Sequence, residues 1–142
     1  MKIIKDKFFI SPSDLNNFVA CKYTIKNEIK FLNKEITKNT DRVNDKLWKE
    51  MGIEHEKKHH KILKTKYKKS IEIKLAKDEQ SRFDETVDAM QKGYDLIYHA
   101  YLIDENFRGE ADFLIKTNTP SDLGDYSYEV YDIKITRNIR PR

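Results

Sequence analysis

Three charged residues near the C-terminal end of the sequence have types and spacing that could support chemistry. Asp112 lies in RGEADFLIK, and Asp132 and Lys134 lie two residues apart in YEVYDIKIT. Both segments alternate like β-strands, and alternation places Asp132 and Lys134 on the same face. If the two strands are neighbours, Asp112 comes close to Asp132.

Two carboxylates in a half-buried sheet repel each other unless a proton, a nearby cation or a bound metal compensates. A hard divalent ion, Mg²⁺ or Mn²⁺, is the natural partner, because it takes oxygen ligands and retains several waters. Lys134 would point at the same space, where an ammonium can orient a water and stabilise the charge that develops in phosphoryl transfer. The alternative is an ordinary Asp/Lys pair on an exposed sheet face, which a lone D-x-K spacing favours.

The periodicity of the chain predicts which elements position these residues. Ser11, Pro12 and Asp14 form a helix start, and Gly93 ends a later helix. The predicted order is a helix from residue 11 with an interruption at 21–24, a helix at about 45–67, a strand at 70–75, a helix at 78–93, and strands at 94–103, 107–117 and 126–136. Helices come first, and an antiparallel meander follows.

Composition indicates one domain whose surface is polar and partly basic. The chain has 142 residues, 37% of them charged, and a net charge of +4, which fits a single core. Neither a membrane-spanning run nor a secretory signal is recognisable, so a cytoplasmic location and no membrane partner are expected. The single cysteine, Cys21, agrees with a reducing compartment and excludes a cysteine-only metal site within this chain.

Three short motifs occur in a fixed order, namely Gly52-Ile-Glu-His55, Gly109-Glu-Ala-Asp112 and Asp132-Ile-Lys134. This order resembles the RecB-like branch of the PD-(D/E)xK nuclease superfamily, with its G-x-x-H helix, G-x-x-D strand and D-x-K strand. The resemblance continues through ISPSDLNNFVACKY, ETVDAMQKGYDLIYHAYL and PSDLGDYSYEVYDIK. It therefore covers most of the chain, although each motif alone is weak.

The resemblance implies a mixed α/β, restriction-endonuclease-like core with helices packed on a central, largely antiparallel sheet. It also implies that His55, Asp112, Asp132 and the backbone carbonyl of Ile133 ligate Mg²⁺ or Mn²⁺. Lys134 would be the catalytic lysine, acting with the two aspartates. Without the motif, His55 would be interpreted as a hydrogen-bonded core histidine.

Helical spacing places His55 on a stripe with Met51, His59 and Ile62, which we expect to face the sheet. His59 and His60 match no motif position, and we expect them to face solvent or lie near phosphates. Glu56 and Glu110 flank the implied ligands, where they could support a ligand or the lysine.

The implied activity is a metal-dependent nuclease that hydrolyses phosphodiester bonds, most plausibly in DNA, in repair, recombination or defence. Basic residues available to contact phosphates are Lys57, Lys58, Lys61, Arg137 and Arg140. The simpler interpretation is that these lysines only solvate an exposed helix face.

Two departures from the family pattern are visible. The family's Q-x-x-x-Y helix, which follows the D-x-K strand, has no counterpart before Arg142, so we expect a fragment of a longer chain, incomplete at its C-terminus. An iron-sulfur cluster is not possible within this chain, because the cluster cysteines other than Cys21 are missing. A non-catalytic nucleic-acid-binding or assembly module with the same fold is therefore the main alternative function. A carbohydrate- or nucleotide-processing metal hydrolase is a third, which nothing in the sequence favours.

Overall fold

The computed structural model describes residues 1–4, 7–37 and 43–134, and the chain forms two compact units. Unit 1 comprises Met1–Asp41 and Leu102–Gly109. Unit 2 comprises Arg42–Tyr101 and Glu110–Arg142. A single domain is expected from the sequence, and this stays a prediction.

Unit 1 contains a short hairpin followed by two helices. Strand β1 (Lys2–Ile4) pairs antiparallel with β2 (Lys7–Phe9), and helices α1 (Pro12–Ala20) and α2 (Lys22–Leu32) follow. The backbone of Cys21 is extended, with φ −161° and ψ 114°, so it ends α1 before α2 begins. The predicted interruption near Cys21 is confirmed, whereas the hairpin was not predicted.

Helix α1 begins at the capping box that the sequence predicts. The backbone N–H and the hydroxyl of Ser11 both donate to Asp14 Oδ2, at 2.8 Å and 2.6 Å, and Ser11 Oγ accepts from the Asp14 backbone N–H at 3.4 Å. The Met1 ammonium lies 2.6 Å from the same carboxylate. Burial alone would raise the pKa of Asp14, but these donors hold it below its usual value.

Unit 2 combines two helices with most of a four-stranded sheet. Its elements, two of which continue into the residues of unit 1, are α3 (Val43–Lys66), β3 (Ser70–Glu72), α4 (Glu79–Gln91), β4 (Leu96–Asp104), β5 (Phe107–Thr117) and β6 (Ser127–Tyr131). Each corresponds to a predicted element, but β6 ends five residues before the predicted strand does, at Tyr131.

The sheet is mixed, with strand order β3-β4-β5-β6. Strands β5 and β6 are antiparallel, whereas β3 and β4 are parallel. A parallel pair needs a crossover connection, and α4 supplies it. The antiparallel meander was predicted but the parallel pair was not. At the coarser level, the described residues form a mixed α/β fold with four helices and a four-stranded mixed sheet.

The core beneath α3 is aromatic. Leu96, Tyr98, Phe113 and Ile115 form a buried cluster, against which Leu63, Tyr67 and Ile133 pack. His60 of α3 lies on this face too, with its ring 3.9 Å from that of Tyr98.

The face that α3 turns toward the sheet differs from the predicted one. Met51 and Ile62, which belong to the predicted stripe, are 43% and 63% exposed. His60, Leu63 and Tyr67, which lie about 100° further round the helix, make the contacts instead. The prediction was wrong because apolar residues occur on both sides of α3, and the aromatic cluster of the sheet selects one of them.

The C-terminal end of α4 is satisfied by side chains from β6 and the loop before it. The Tyr126 hydroxyl donates to the carbonyls of Met90 and Gln91 at 3.0 Å and 3.1 Å. The Tyr128 hydroxyl donates to Tyr94 O at 2.6 Å and lies 3.4 Å from Met90 O. The backbone N–H of Gly93 already donates to the Met90 carbonyl at 3.0 Å, so the tyrosines add tertiary hydrogen bonds to the turn that ends α4. Within the described residues, no helix has the length and apolar character needed to cross a membrane.

Candidate active site

A shallow pocket of about 310 Å³ in unit 2 contains most of the predicted site. It lies where one side of α3 meets the middle of β5 and the segment that follows β6. The residues that line it are Lys49, Gly52, Ile53 and Glu56 from α3, Asp112 from β5, and Asp132, Ile133 and Lys134 just after β6.

Strand register brings the two aspartates together. Phe113 pairs with Tyr131 at the end of the β5–β6 ladder, so the next antiparallel position sets Asp112 opposite Asp132. The backbone N–H of Ile133 donates to Asp112 Oδ2 at 2.6 Å. The carboxyl groups of Asp112 and Asp132 are close enough to share a hydrogen bond. The predicted approach of these two residues is therefore present.

The two carboxyls have opposite electrostatic environments. Burial raises the pKa of Asp112 to about 6, with the hydrogen bond and negative charge of Asp132 and the charge of Glu56 adding to the effect. Burial acts in the same direction on Asp132, but its hydrogen bonds from Lys134 and Asp112 hold its pKa below the usual value. Near neutral pH the pair therefore retains a proton more readily than two separate aspartates would.

Lys134 lines the same pocket and pairs with Asp132. Its Nζ lies 2.6 Å from Asp132 Oδ2, and its side chain is 75% exposed. The segment 132–134 continues from β6 without strand pairing. The ammonium therefore reaches the pocket from a solvated position, where it can still approach a bound ligand.

His55 does not join the two aspartates in this structure. It lines a separate pocket with Met51, Glu54 and Lys58, and its ring lies 4.6 Å from that of His59. Among the described residues, no group of three His, Cys, Asp or Glu side chains could hold a metal ion. The expected convergence of His55 with Asp112 and Asp132 is thus absent, and its role as a ligand stays a prediction.

Glu56 lies at the pocket instead. Adjacent helix residues are about 100° apart, so the orientation of α3 that buries His60 and Leu63 also turns Glu56, rather than His55, to the side of Asp112. From the sequence, Glu56 was interpreted only as a residue that flanks the implied metal ligands. The spacing of Lys49, Gly52, Ile53 and Glu56 is the helical signal that could have identified it.

The remaining predicted residues that the structure describes lie outside this pocket. Lys57, Lys58 and Lys61 are exposed on α3, and Lys58 pairs with Glu54 at 2.8 Å. Arg137 and Arg140 fall outside the described residues. Cys21 is exposed in unit 1.

The donor chemistry of the pocket suits a hard divalent cation. Mg²⁺ is commonly bound by one or two carboxylates and keeps several waters, so Asp112 and Asp132 provide an adequate protein contribution. Burial is the main cause of the raised pKa of Asp112, and the negative charges of Asp132 and Glu56, which a cation would neutralise, add to it. Asp112, Asp132 and the carbonyl of Ile133 are the groups that fit such an ion.

Comparison with known proteins adds no relative to this geometry: the chain matches no family model, no curated protein and no solved structure. The resemblance to RecB-like nucleases therefore rests on the three motifs and the sequence around them.

Proposed function

We propose that this chain is a metal-dependent nuclease that hydrolyses phosphodiester bonds, most plausibly in DNA. The observation that supports this most strongly is the presence of Asp112, Asp132 and Lys134 in one pocket, with the two carboxyls within hydrogen-bonding reach. Opposed carboxylates beside an ammonium are a suitable arrangement for binding a cation and a phosphate together. The order of the three sequence motifs supports the same proposal.

Each residue of the pocket has a distinct role in the proposed reaction. Asp112 and Asp132 bind Mg²⁺ or Mn²⁺, and the Ile133 N–H orients Asp112 through its 2.6 Å hydrogen bond. Lys134 leaves Asp132 to contact the scissile phosphate, orients the attacking water and stabilises charge that develops on the phosphate oxygens. A bound divalent cation would lower the pKa of a water and neutralise phosphate charge.

The proposed fold is a restriction-endonuclease-like core. The mixed sheet with α3 on the face that carries the pocket and α4 as the crossover between β3 and β4 supports it. In this proposal β5 and β6 supply the acidic residues and α3 completes the pocket.

A nucleic-acid-binding or assembly module is the second candidate. The placement of His55 in a separate pocket favours it, because the implied ligand set is then incomplete. The exposed lysines of α3 could contact phosphates without any cleavage.

The test compares cleavage of single- and double-stranded DNA in Mn²⁺ and in EDTA for the wild type, Asp112→Asn and Lys134→Ala. Cleavage should require Mn²⁺ and be abolished in Asp112→Asn. Lys134→Ala should cleave ~10²-fold more slowly or worse, because it removes a charge near the scissile phosphate. It should nevertheless keep the rise in melting temperature that Mn²⁺ produces, since the proposed ligands remain.

Lys92→Ala is the matched control, because it removes a lysine that is also paired with an aspartate, at 2.6 Å from Asp88, but lies outside the pocket, directly after α4. It should cleave like the wild type. DNA binding without any Mn²⁺-dependent cleavage would favour the binding module. An identical cleavage rate in Lys134→Ala and the wild type would contradict the role assigned to the lysine.

A further inference from the structure

Glu56 is held at the pocket by two consecutive residues of β4. Its Oε1 lies 2.8 Å from His99 Nε2, and the Tyr98 hydroxyl also hydrogen-bonds to its carboxylate. The side chains of His99 and Glu56 are only 12% and 20% exposed. A carboxylate only accepts hydrogen bonds, so the geometry assigns the His99 proton to Nε2.

The backbone of His99 departs from strand geometry to make this contact. Its φ is +56°, a left-handed value that a non-glycine residue rarely adopts. Successive side chains of a regular strand point to opposite faces, yet the rings of Tyr98 and His99 stack with centroids 3.7 Å apart. The irregular backbone at His99 therefore places the rings of Tyr98 and His99 against the same helix, α3.

The strained segment is held from its other side by Arg82. This buried guanidinium donates to the His99 carbonyl at 3.2 Å and to Glu110 at 2.6 Å. Arg82 thus contacts the backbone of His99, the residue with the unusual φ, whose side chain in turn contacts Glu56. His99 Nδ1, in addition, is buried and has no hydrogen-bond partner within the described part of the chain.

We propose that His99 is a positioning residue that fixes Glu56, and that Glu56 is a third acidic group of the pocket, which supports the cation of Asp112 and Asp132 through bound waters. This inference rests on the proposed metal-dependent function. Action through waters agrees with the absence of a three-residue ligand group among the described residues, and Mg²⁺ and Mn²⁺ retain waters readily. Hydrogen-bonded groups behind a metal ligand commonly set its orientation and the metal affinity.

The electrostatics of the pocket agree with this role. The negative charge of Glu56 contributes, after burial and Asp132, to the raised pKa of Asp112. Glu56 is therefore near enough to add to the attraction for a cation bound there. Its hydrogen bonds to His99 and Tyr98 hold the carboxylate in place before an ion arrives.

The experiment measures Mn²⁺ affinity directly, by calorimetric titration with the metal alone, and unfolding without metal. Glu56→Gln and His99→Ala should each weaken Mn²⁺ binding by about 10-fold or more. His99→Gln should retain most of the affinity, because its amide can still donate to Glu56. Glu54→Gln, the same change two residues away in the separate pocket, should bind like the wild type.

The double variant Glu56→Gln, His99→Ala should bind no more weakly than Glu56→Gln alone, because the two residues act as a unit. If His99→Ala lowers stability but leaves Mn²⁺ affinity unchanged, His99 is only structural and the inference is overturned. If Glu56→Gln binds normally while Asp112→Asn does not, this inference fails and the proposed function stands. If the wild type itself binds no Mn²⁺, or binds it independently of Asp112, both fail.

Discussion

At the scale of single residues, Asp112 is the carboxyl of the pocket whose pKa is raised. It is half-buried, faces two other carboxylates, and receives a backbone N–H from Ile133. The hydrogen bond from Ile133 favours the charged form, but burial and the neighbouring charges outweigh it. The raised pKa of Asp112 therefore has a measurable consequence for stability.

Stability without metal should fall as Asp112 ionises. The pKa of Asp112 is about 6 in the folded state against 3.8 for an ordinary aspartate, so between these values the folded chain holds more protons than the unfolded chain. The free energy of unfolding contributed by Asp112 therefore decreases as pH rises through this window. Chemical unfolding at about pH 4.5 and about pH 7 should show a larger loss in the wild type than in Asp112→Asn.

Asp14 and Asp132 act in the opposite direction, because their pKa values are lowered. They are present in both proteins, so the difference between wild type and variant isolates Asp112, apart from its coupling to Asp132. Equal pH dependence in the two proteins would contradict the environment described for Asp112.

The sequence predicted the site residues of the strand segments but not the helix residue Glu56, and the difference has a physical reason. The period of two in the strands was sufficient to bring Asp112, Asp132 and Lys134 together, because opposed strands fix which residues face each other. A helix residue is harder to place, since moving from His55 to Glu56 changes the direction by about 100°. The local spacing of Lys49, Gly52, Ile53 and Glu56 marks one possible face of α3, but which face packs on the sheet was decided by the aromatic cluster beneath the helix.

At the scale of elements, the end of α4 depends on residues far away in the chain. Gly93, with φ +65°, ends the helix as predicted. The Tyr126 hydroxyl donates to its last carbonyls, and the Tyr128 hydroxyl donates to Tyr94 O just after the helix, both from more than thirty residues away. Hydrogen bonds of this kind depend on tertiary structure. The sequence therefore indicated where α4 ends but not which side chains hydrogen-bond to the carbonyls there.

Removal of these hydroxyls should destabilise the chain with little effect on its shape. Tyr126→Phe and Tyr128→Phe should each lower the free energy of unfolding by about 1 kcal/mol, the typical net value of one hydrogen bond. Tyr131→Phe is the matched control, because its hydroxyl makes only a 3.4 Å exposed contact with Glu129. Denaturant midpoints at constant slope would measure the change, and a Tyr131→Phe loss as large as the others would contradict the assignment.

At the scale of the whole molecule, the charge distribution bears on how nucleic acid would bind. The net charge is +4, and lysines are concentrated on α3. Lys57 and Lys61 are exposed, whereas Lys58 is held by Glu54. Phosphate contacts by such residues release counterions, so affinity should depend steeply on salt.

Replacing Lys57 and Lys61 by alanine should weaken duplex DNA binding and flatten its salt dependence. Each lost phosphate contact lowers the slope of log affinity against log salt by about 0.9, so the double variant should lose about 1.8. Lys77→Ala with Lys92→Ala is the control, because both lysines are paired with acidic residues on α4. Fluorescence anisotropy across a salt series would measure both slopes. Equal slopes for the test and control variants would mean that these α3 lysines only solvate the helix face and do not contact phosphates.

The chain order of unit 1 has a consequence for dividing the protein into pieces. Its first forty-one residues are completed by Leu102–Gly109, to which Ile10 is joined by backbone hydrogen bonds with Asn106 and Arg108. No single peptide bond can therefore be cut to release one unit whole, since the segment that completes unit 1 lies within the β4–β5 hairpin. We therefore expect a separately produced peptide of residues 1–41 to need the Leu102–Gly109 segment of the remaining chain for its structure, which a fragment-complementation assay would measure.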